Sequence, residues 1–209
     1  VINEDMIQGV FDSGEIIYSK EYKIKIKNPN PEKIFAYTLK KEITFLKGFI
    51  NQIIKDKDFF CKTINERHSL YFPRLNTFKN GIIDWKWSGK NIVDFINSFS
   101  YPYVGASSKI NGNLIRIYEA KLVNKKKYHP FLAGLVLRNF NSKVVVATNE
   151  GEIEISKINE KESDLTIKDI KIGMRFYNDN ADILESMIYK PEYDPYGDKK
   201  QKKKKEIPI

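Results

Sequence analysis

A chain of 209 residues, 41% hydrophobic and 13% aromatic, can bury the core of one domain or of two small ones. Its single cysteine, Cys61, excludes an internal disulfide framework and a four-cysteine zinc site and suits a reducing, cytoplasmic setting, and its apolar runs are far shorter than the roughly 20 residues that span a bilayer. The formal charge of +9 suggests a polyanion partner until its location is read: six lysines crowd into 199–205, so the body is only mildly positive. That run reads as a solvated tail, with a polyanion-binding arm as the alternative.

In chain order, the turn Asp12-Ser13-Gly14 feeds Glu15-Ile16-Ile17-Tyr18 and the alternating Tyr22, Ile24 and Ile26, which predict a loop entering a strand. Asn30 and Pro31 then place a cap and a first-turn proline at a helix start. Phe35, Leu39, Ile43, Leu46, Ile50 and Ile53 follow at spacings of three and four, predicting one continuous apolar face that packs on something large. A strand and a long amphipathic helix suit the end of an α/β domain, yet too few strands precede them to complete a sheet, so the chain is expected to begin in mid-domain.

Residues 61–83 lack a clear period and read as a connector. Ser88 then caps a short helix with Ile92, Phe95, Ile96 and Phe99 on one face, ended by Pro102. Beyond it the texture turns β. Asn111-Gly112 signals a two-residue hairpin leading into 114–123, and 133–140, 143–148 and 152–158 read as further short strands. One helix with about five short strands predicts a small barrel over 84–190, followed by a basic tail over 191–209.

The residues by themselves offer little chemistry. His68 and His129 stand in no metal-ligand or catalytic spacing, and no metal site is expected. His129 beside Pro130 and Cys61 beside Phe59 and Phe60 read as structural. Asp12, on a tight turn ahead of a strand, is the one carboxylate in a setting that chemistry could use, although Asp-Ser-Gly is also ordinary turn composition. Trp85 and Trp87 lie two apart. On an extended segment they would face the same way, open either to stacking on the flat ring of a substrate or to core packing. Asp84 before them is expected to make a structural hydrogen bond, such as capping the helix near Ser88.

Three stretches taken together resemble the 10-formyltetrahydrofolate-dependent formyltransferases. GVFDSGEII at 9–17 is similar to the motif that closes their catalytic core. YFPRLNTFKNGIIDWKWSGKNIVDFINSF with YPYVGASSKINGNLIRIYEAKL resembles the start of their C-terminal domain, and VVVATNEGEIEI with IKIGMRF its last strands. The resemblance implies an α/β remnant of the catalytic domain over 1–60, followed by an OB-like β-barrel. It makes Asp12 the catalytic carboxylate, orienting a histidine or a water while an amine attacks the formyl carbon of 10-formyltetrahydrofolate, the implied cofactor. The asparagine and histidine partners belong to an upstream stretch that this sequence does not contain, so the chain alone is expected to be inactive. For the acceptor, YFPRLNT, NGIIDWKW and YHPFLAG look more like the branch acting on nucleotide-linked amino sugars, as in lipopolysaccharide biosynthesis. Methionyl-tRNA and a non-catalytic binding module derived from the family are the alternatives, and a homodimer is compatible with any of them. The mild charge of the body agrees with the sugar reading, because a tRNA-holding barrel should be basic over its folded surface.

Overall fold

The computed structural model describes residues 2–3, 15–55, 62–63, 67, 70–159 and 165–192. Asp12, Cys61, His68 and the lysine run lie outside the described residues. The chain divides into two units, Val1–Phe72 and Pro73–Ile209.

In the first unit β1 (Ile2–Asn3) pairs antiparallel with β2 (Ile16–Tyr18), and α1 runs from Pro31 to Ile54. The Asn30 side chain accepts from the Lys33 amide at 2.9 Å, so the helix starts where its cap and proline predict. Tyr18 packs its ring on Phe45 and Phe49, with centroids 4.8 and 5.5 Å away. The apolar stripe from Phe35 to Ile53 is exposed along its length, and no residue of α1 is buried. A multi-stranded α/β sheet is not found among the described residues; they hold this two-stranded pair, a bridge between Ile16 and Lys62, and the helix.

The second unit contains the hydrophobic core. Its elements are α2 (Thr77–Asn80), α3 (Gly89–Ser98), β3 (Ala106–Ile110), β4 (Asn113–Lys127), β5 (Val136–Phe140), β6 (Lys143–Ala147), β7 (Glu150–Ile158), β8 (Phe176–Tyr177) and α4 (Asn180–Ile188). The six strands form one antiparallel sheet in the order β5-β6-β7-β4-β3-β8. Asn111 and Gly112, at φ 48° and 80°, make the tight turn between β3 and β4 that their sequence predicts. The β5–β6 turn uses Asn141 and Ser142, at φ 50° and 55°, a left-handed pair with no glycine to announce it.

Strand β4 is the spine. Its register against β7 shifts at four places between Ile117 and Lys127, and each irregularity bends the strand, so the sheet curls into a half-barrel. The curl brings the far edges together: Gly134 and Val136 exchange main-chain hydrogen bonds of 2.8–3.0 Å with Gly173, Met174 and Phe176. Gly134 is required at this seam. Its φ is 80°, and any Cβ there would collide with the Phe176 carbonyl.

Helix α3 lies against β4 and β7 and buries Ile92, Val93 and Ile96 with Ile115, Ile117, Ile153 and Ile155. Each fully buried aliphatic side chain contributes about 1.5–3 kcal/mol of transfer free energy, which makes this face the main source of the unit's stability. Ser88 caps the helix through the Asn91 amide at 3.3 Å. Asn97 fixes its far end by donating to the Ala120 carbonyl at 3.3 Å. Part of the expected connector belongs to this unit: the Asn80 amide group donates to the Ser186 and Tyr189 carbonyls at 2.7 and 3.1 Å, tying α2 to α4.

Candidate functional site

The segment carrying Trp85 and Trp87 is a turn, closed by the Trp87 amide donating to the Asp84 carbonyl at 3.1 Å. The segment is therefore not extended, as a shared face for the two indoles would require. Trp85 is 5% exposed, stacks on Phe176 at 5.2 Å between centroids, and donates its indole N–H to Ser108 Oγ at 2.9 Å. Trp87 is partly buried, with its ring edge to face on Phe95 at 5.1 Å. Both rings sit in or against the core, the alternative that their spacing had left open. Asp84 does make a structural hydrogen bond, but within the turn: its carboxylate accepts from the Lys86 amide at 2.9 Å, and Ser88 alone caps α3. His129 is likewise structural, its Nδ1 accepting from the Phe131 amide at 3.2 Å to cap the 3-10 turn Pro130–Leu132.

The outer face of the sheet carries two buried carboxylates in charged ladders. Glu154, 8% exposed, accepts from Lys121 on β4 at 3.1 Å and from Lys143 on β6 at 3.3 Å. Glu152, 5% exposed, pairs with Arg138 on β5 at 2.6 Å and also accepts from the Tyr128 hydroxyl. Burial alone would push both carboxyls up. The hydrogen bonds and charges of Lys121 and Lys143 on Glu154, and of Tyr128, Asn124 and Arg138 on Glu152, outweigh it and hold both below the ordinary value of 4.5. Burial and the neighbouring Glu152 push the Tyr128 hydroxyl up in turn.

A pH dependence follows. Because the folded-state values are lowered, the ladders stabilise the unit above pH 4.5 and lose that contribution as pH falls through the lowered values. In urea titrations the midpoint of wild-type protein should fall on acidification below that point, and Glu154→Gln should flatten the fall. An unchanged acid slope in the variant would show that the ladder carries none of it.

A second charged cluster joins β3 to α4, where Lys109 reaches Asp179 at 2.5 Å and Asp182 at 2.7 Å. Hydrogen bonds to the two carboxylates hold the lysine well above its ordinary value, which makes it a clamp rather than a base. No group of three or more histidine, cysteine, aspartate or glutamate side chains is placed to hold a metal among the described residues.

A hollow of about 560 Å³ lies in the second unit. Arg74, Leu75, Asn76 and Thr77 form one side, Phe78 on α2 and Phe99 at the end of α3 form the walls, and Ser98 and Tyr103 complete it. Phe78 is held in place by the Arg116 guanidinium, 5.2 Å from its ring centroid, and Arg116 is itself anchored by donating to Ser107 Oγ at 2.8 Å. Asn76 caps α2 through the Phe78 and Lys79 amides, so the loop and the helix meet at a defined angle. Sequence reading missed this site. The fragment Arg74-Leu75-Asn76 has no periodic signal, and only the fold brings it beside Tyr103.

Residues 77–175 match the family model for the formyl transferase C-terminal domain. The methionyl-tRNA formyltransferase of Fusobacterium nucleatum is 37% identical over 75 residues, 35% of this chain and 24% of that protein. The bifunctional polymyxin resistance protein ArnA of Wigglesworthia glossinidia brevipalpis is 29% identical over 153 residues, 69% of this chain and 21% of that protein. The matched stretches thus span about a quarter or less of those relatives' own length. Among solved structures, a variant of HypX from Aquifex aeolicus superposes with a TM-score of 0.53 at 19% identity, covering 74% of this chain and 26% of HypX. HypX in complex with tetrahydrofolic acid gives 0.51 at 17% identity, covering 81% and 32%. At these identities the likeness is one of fold.

Proposed function

We propose, from the premise that this chain is a formyltransferase family member matched in its C-terminal-domain segment, that it is part of an enzyme moving a formyl group from 10-formyltetrahydrofolate to the amine of a nucleotide-linked amino sugar. The reaction forms a bond between the acceptor nitrogen and the formyl carbon, breaks the bond from that carbon to the folate nitrogen, and passes one proton from the amine to the departing nitrogen. Asp12 is the carboxylate proposed to orient the proton-carrying partner. Within the enzyme, the second unit is proposed to form the accessory domain. The exposed apolar stripe of α1 suits a helix that lies on the sheet of a catalytic domain.

The observation carrying the choice of acceptor is the pairing of three cations on the outer face of the sheet with two buried glutamates. Lys121, Lys143 and Arg138, which could line a phosphate-binding surface, are turned onto Glu152 and Glu154. A surface that holds tRNA keeps its cations for the phosphates. The second reading, a methionyl-tRNA acceptor, draws on the Fusobacterium relative. We expect the complete enzyme, given 10-formyltetrahydrofolate, to formylate a nucleotide-linked amino sugar and to leave methionyl-tRNA unmodified. Formylation of methionyl-tRNA alone would overturn the sugar reading, and formylation of neither acceptor would favour a binding module.

A further inference from the structure

We infer that Asn111 is a site of spontaneous covalent modification: in the folded protein it cyclises onto Gly112 and opens in water to aspartate and isoaspartate, while Asn80 keeps its amide. Asn-Gly occurs twice in the sequence, at 80–81 and 111–112. By sequence the two pairs are equivalent, because glycine leaves its main-chain nitrogen unhindered and its backbone free to turn. The fold separates them.

At Asn80 the reacting groups are held. The carboxamide oxygen accepts from the Asn76 amide at 2.7 Å, and the carboxamide nitrogen donates to the Ser186 and Tyr189 carbonyls at 2.7 and 3.1 Å. Gly81 is pinned as well. Its carbonyl accepts from the Ser107 amide at 2.6 Å, and a Cβ on it would stand 2.7 Å from the Thr77 carbonyl oxygen. Reaction there requires α2 to leave both α4 and β3.

Asn111 and Gly112 are both exposed, at the tip of the β3–β4 hairpin. Both are left-handed, at φ 48° and 80°, and only this two-residue loop has to rearrange for the Gly112 nitrogen to reach the Asn111 side-chain carbonyl carbon. Strand β3 is held between β4 and β8, so the loop opens while the strands stay paired, a local opening of low cost. The Asn111 main-chain oxygen accepts from Asn113 Nδ2 at 3.4 Å. That donor stands where negative charge collects as the Gly112 amide loses its proton.

The chemistry needs only water. The Gly112 N–H proton passes to solvent, the nitrogen bonds to Asn111 Cγ, and the Cγ–Nδ2 bond breaks as ammonia departs with a proton taken from solvent. Water then adds to either carbonyl of the cyclic imide. Opening at Cγ gives aspartate, and opening at the main-chain carbonyl gives isoaspartate, with the chain running through the side chain. Aspartate tolerates the left-handed turn much as asparagine does. Isoaspartate lengthens the main chain by a methylene inside a two-residue loop, so the Ile110–Asn113 pair and the adjoining β3–β8 register loosen. None of this depends on the proposed formyl transfer.

The test ages the 209-residue chain at mildly alkaline pH in water enriched in heavy oxygen, and follows the peptides that span residues 80 and 111 by mass spectrometry. Asn111 should convert at least about tenfold faster than Asn80, which must first break its hydrogen bonds, and should take up heavy oxygen from the water. A carboxyl methyltransferase specific for isoaspartate should label the aged chain at residue 111. In guanidinium chloride, with the fold gone, the two sites should react within about threefold of each other. Equal rates in the folded protein would overturn the assignment, as would an Asn111 that survives in the folded chain and converts only in guanidinium. A gap that persists in guanidinium would place the difference in the sequence and overturn it equally.

Discussion

Replacing Asp12 by asparagine in the complete enzyme should lower turnover by roughly two orders of magnitude or more while leaving the folded protein intact. Asparagine keeps the size of the side chain and serves a turn about as well as aspartate, so a structural role would survive the change. What is lost is the negative charge. A carboxylate beside a histidine favours the protonated ring and holds one tautomer in place, and a neutral amide does neither. The result to seek is a fall in kcat with an unchanged thermal midpoint, together with a pH profile whose histidine limb moves down because its ionised partner has gone. Near-normal turnover by a well-folded variant would reject the catalytic role of Asp12, even with the family membership standing.

Trp85→Ala should cost the second unit about 3–5 kcal/mol, the range for truncating a large buried aromatic ring. The ring is 5% exposed, stacks on Phe176 and carries a buried hydrogen bond to Ser108. Truncation opens a cavity beside the seam where Phe176 meets Gly134, so the loss is felt where the half-barrel closes. Trp85→Phe keeps most of the volume and should cost less, chiefly the roughly 1 kcal/mol of the indole hydrogen bond. Ser108 Oγ keeps its contact to the Tyr177 carbonyl in either variant. Urea denaturation followed by circular dichroism measures both. A cost below about 1 kcal/mol for Trp85→Ala would remove the ring from the core and reopen a ligand-stacking role.

Local signals carried the helices and hairpins because those elements are specified by residues close in sequence. Asn30 with Pro31, Ser88, and Asn111-Gly112 each act on main-chain groups within three residues, and each is found where it was read. The short strands from 136 to 158 were legible from runs of β-branched residues bounded by turn residues. Three motif stretches in order pointed to the family, and residues 77–175, which hold most of the second and third, match its C-terminal-domain model.

Other features depend on groups far apart in the chain, and for these no local pattern exists. The strand β8 was reached only through the resemblance of IKIGMRF, and the helix α4 was not read, because β8 is defined by pairing with Lys109 and Ile110 and α4 is anchored through Asn80 and Lys109. Asn178 and Asn139 staple loops by donating to carbonyls of Ile83, Ser107, Ile167 and Ile170, yet a lone asparagine in a sequence reads as a turn residue. Nothing local marks Glu152 and Glu154 as buried, and it took the neighbouring strands to show them buried and paired. By itself the sequence determined the local helices and turns, the β texture and the family, because propensity, capping and alternation act over a few residues. Only the tertiary structure decided which rings are core, which charges are spent on one another and where a hollow remains, because burial and pairing depend on what curvature brings together across the sheet.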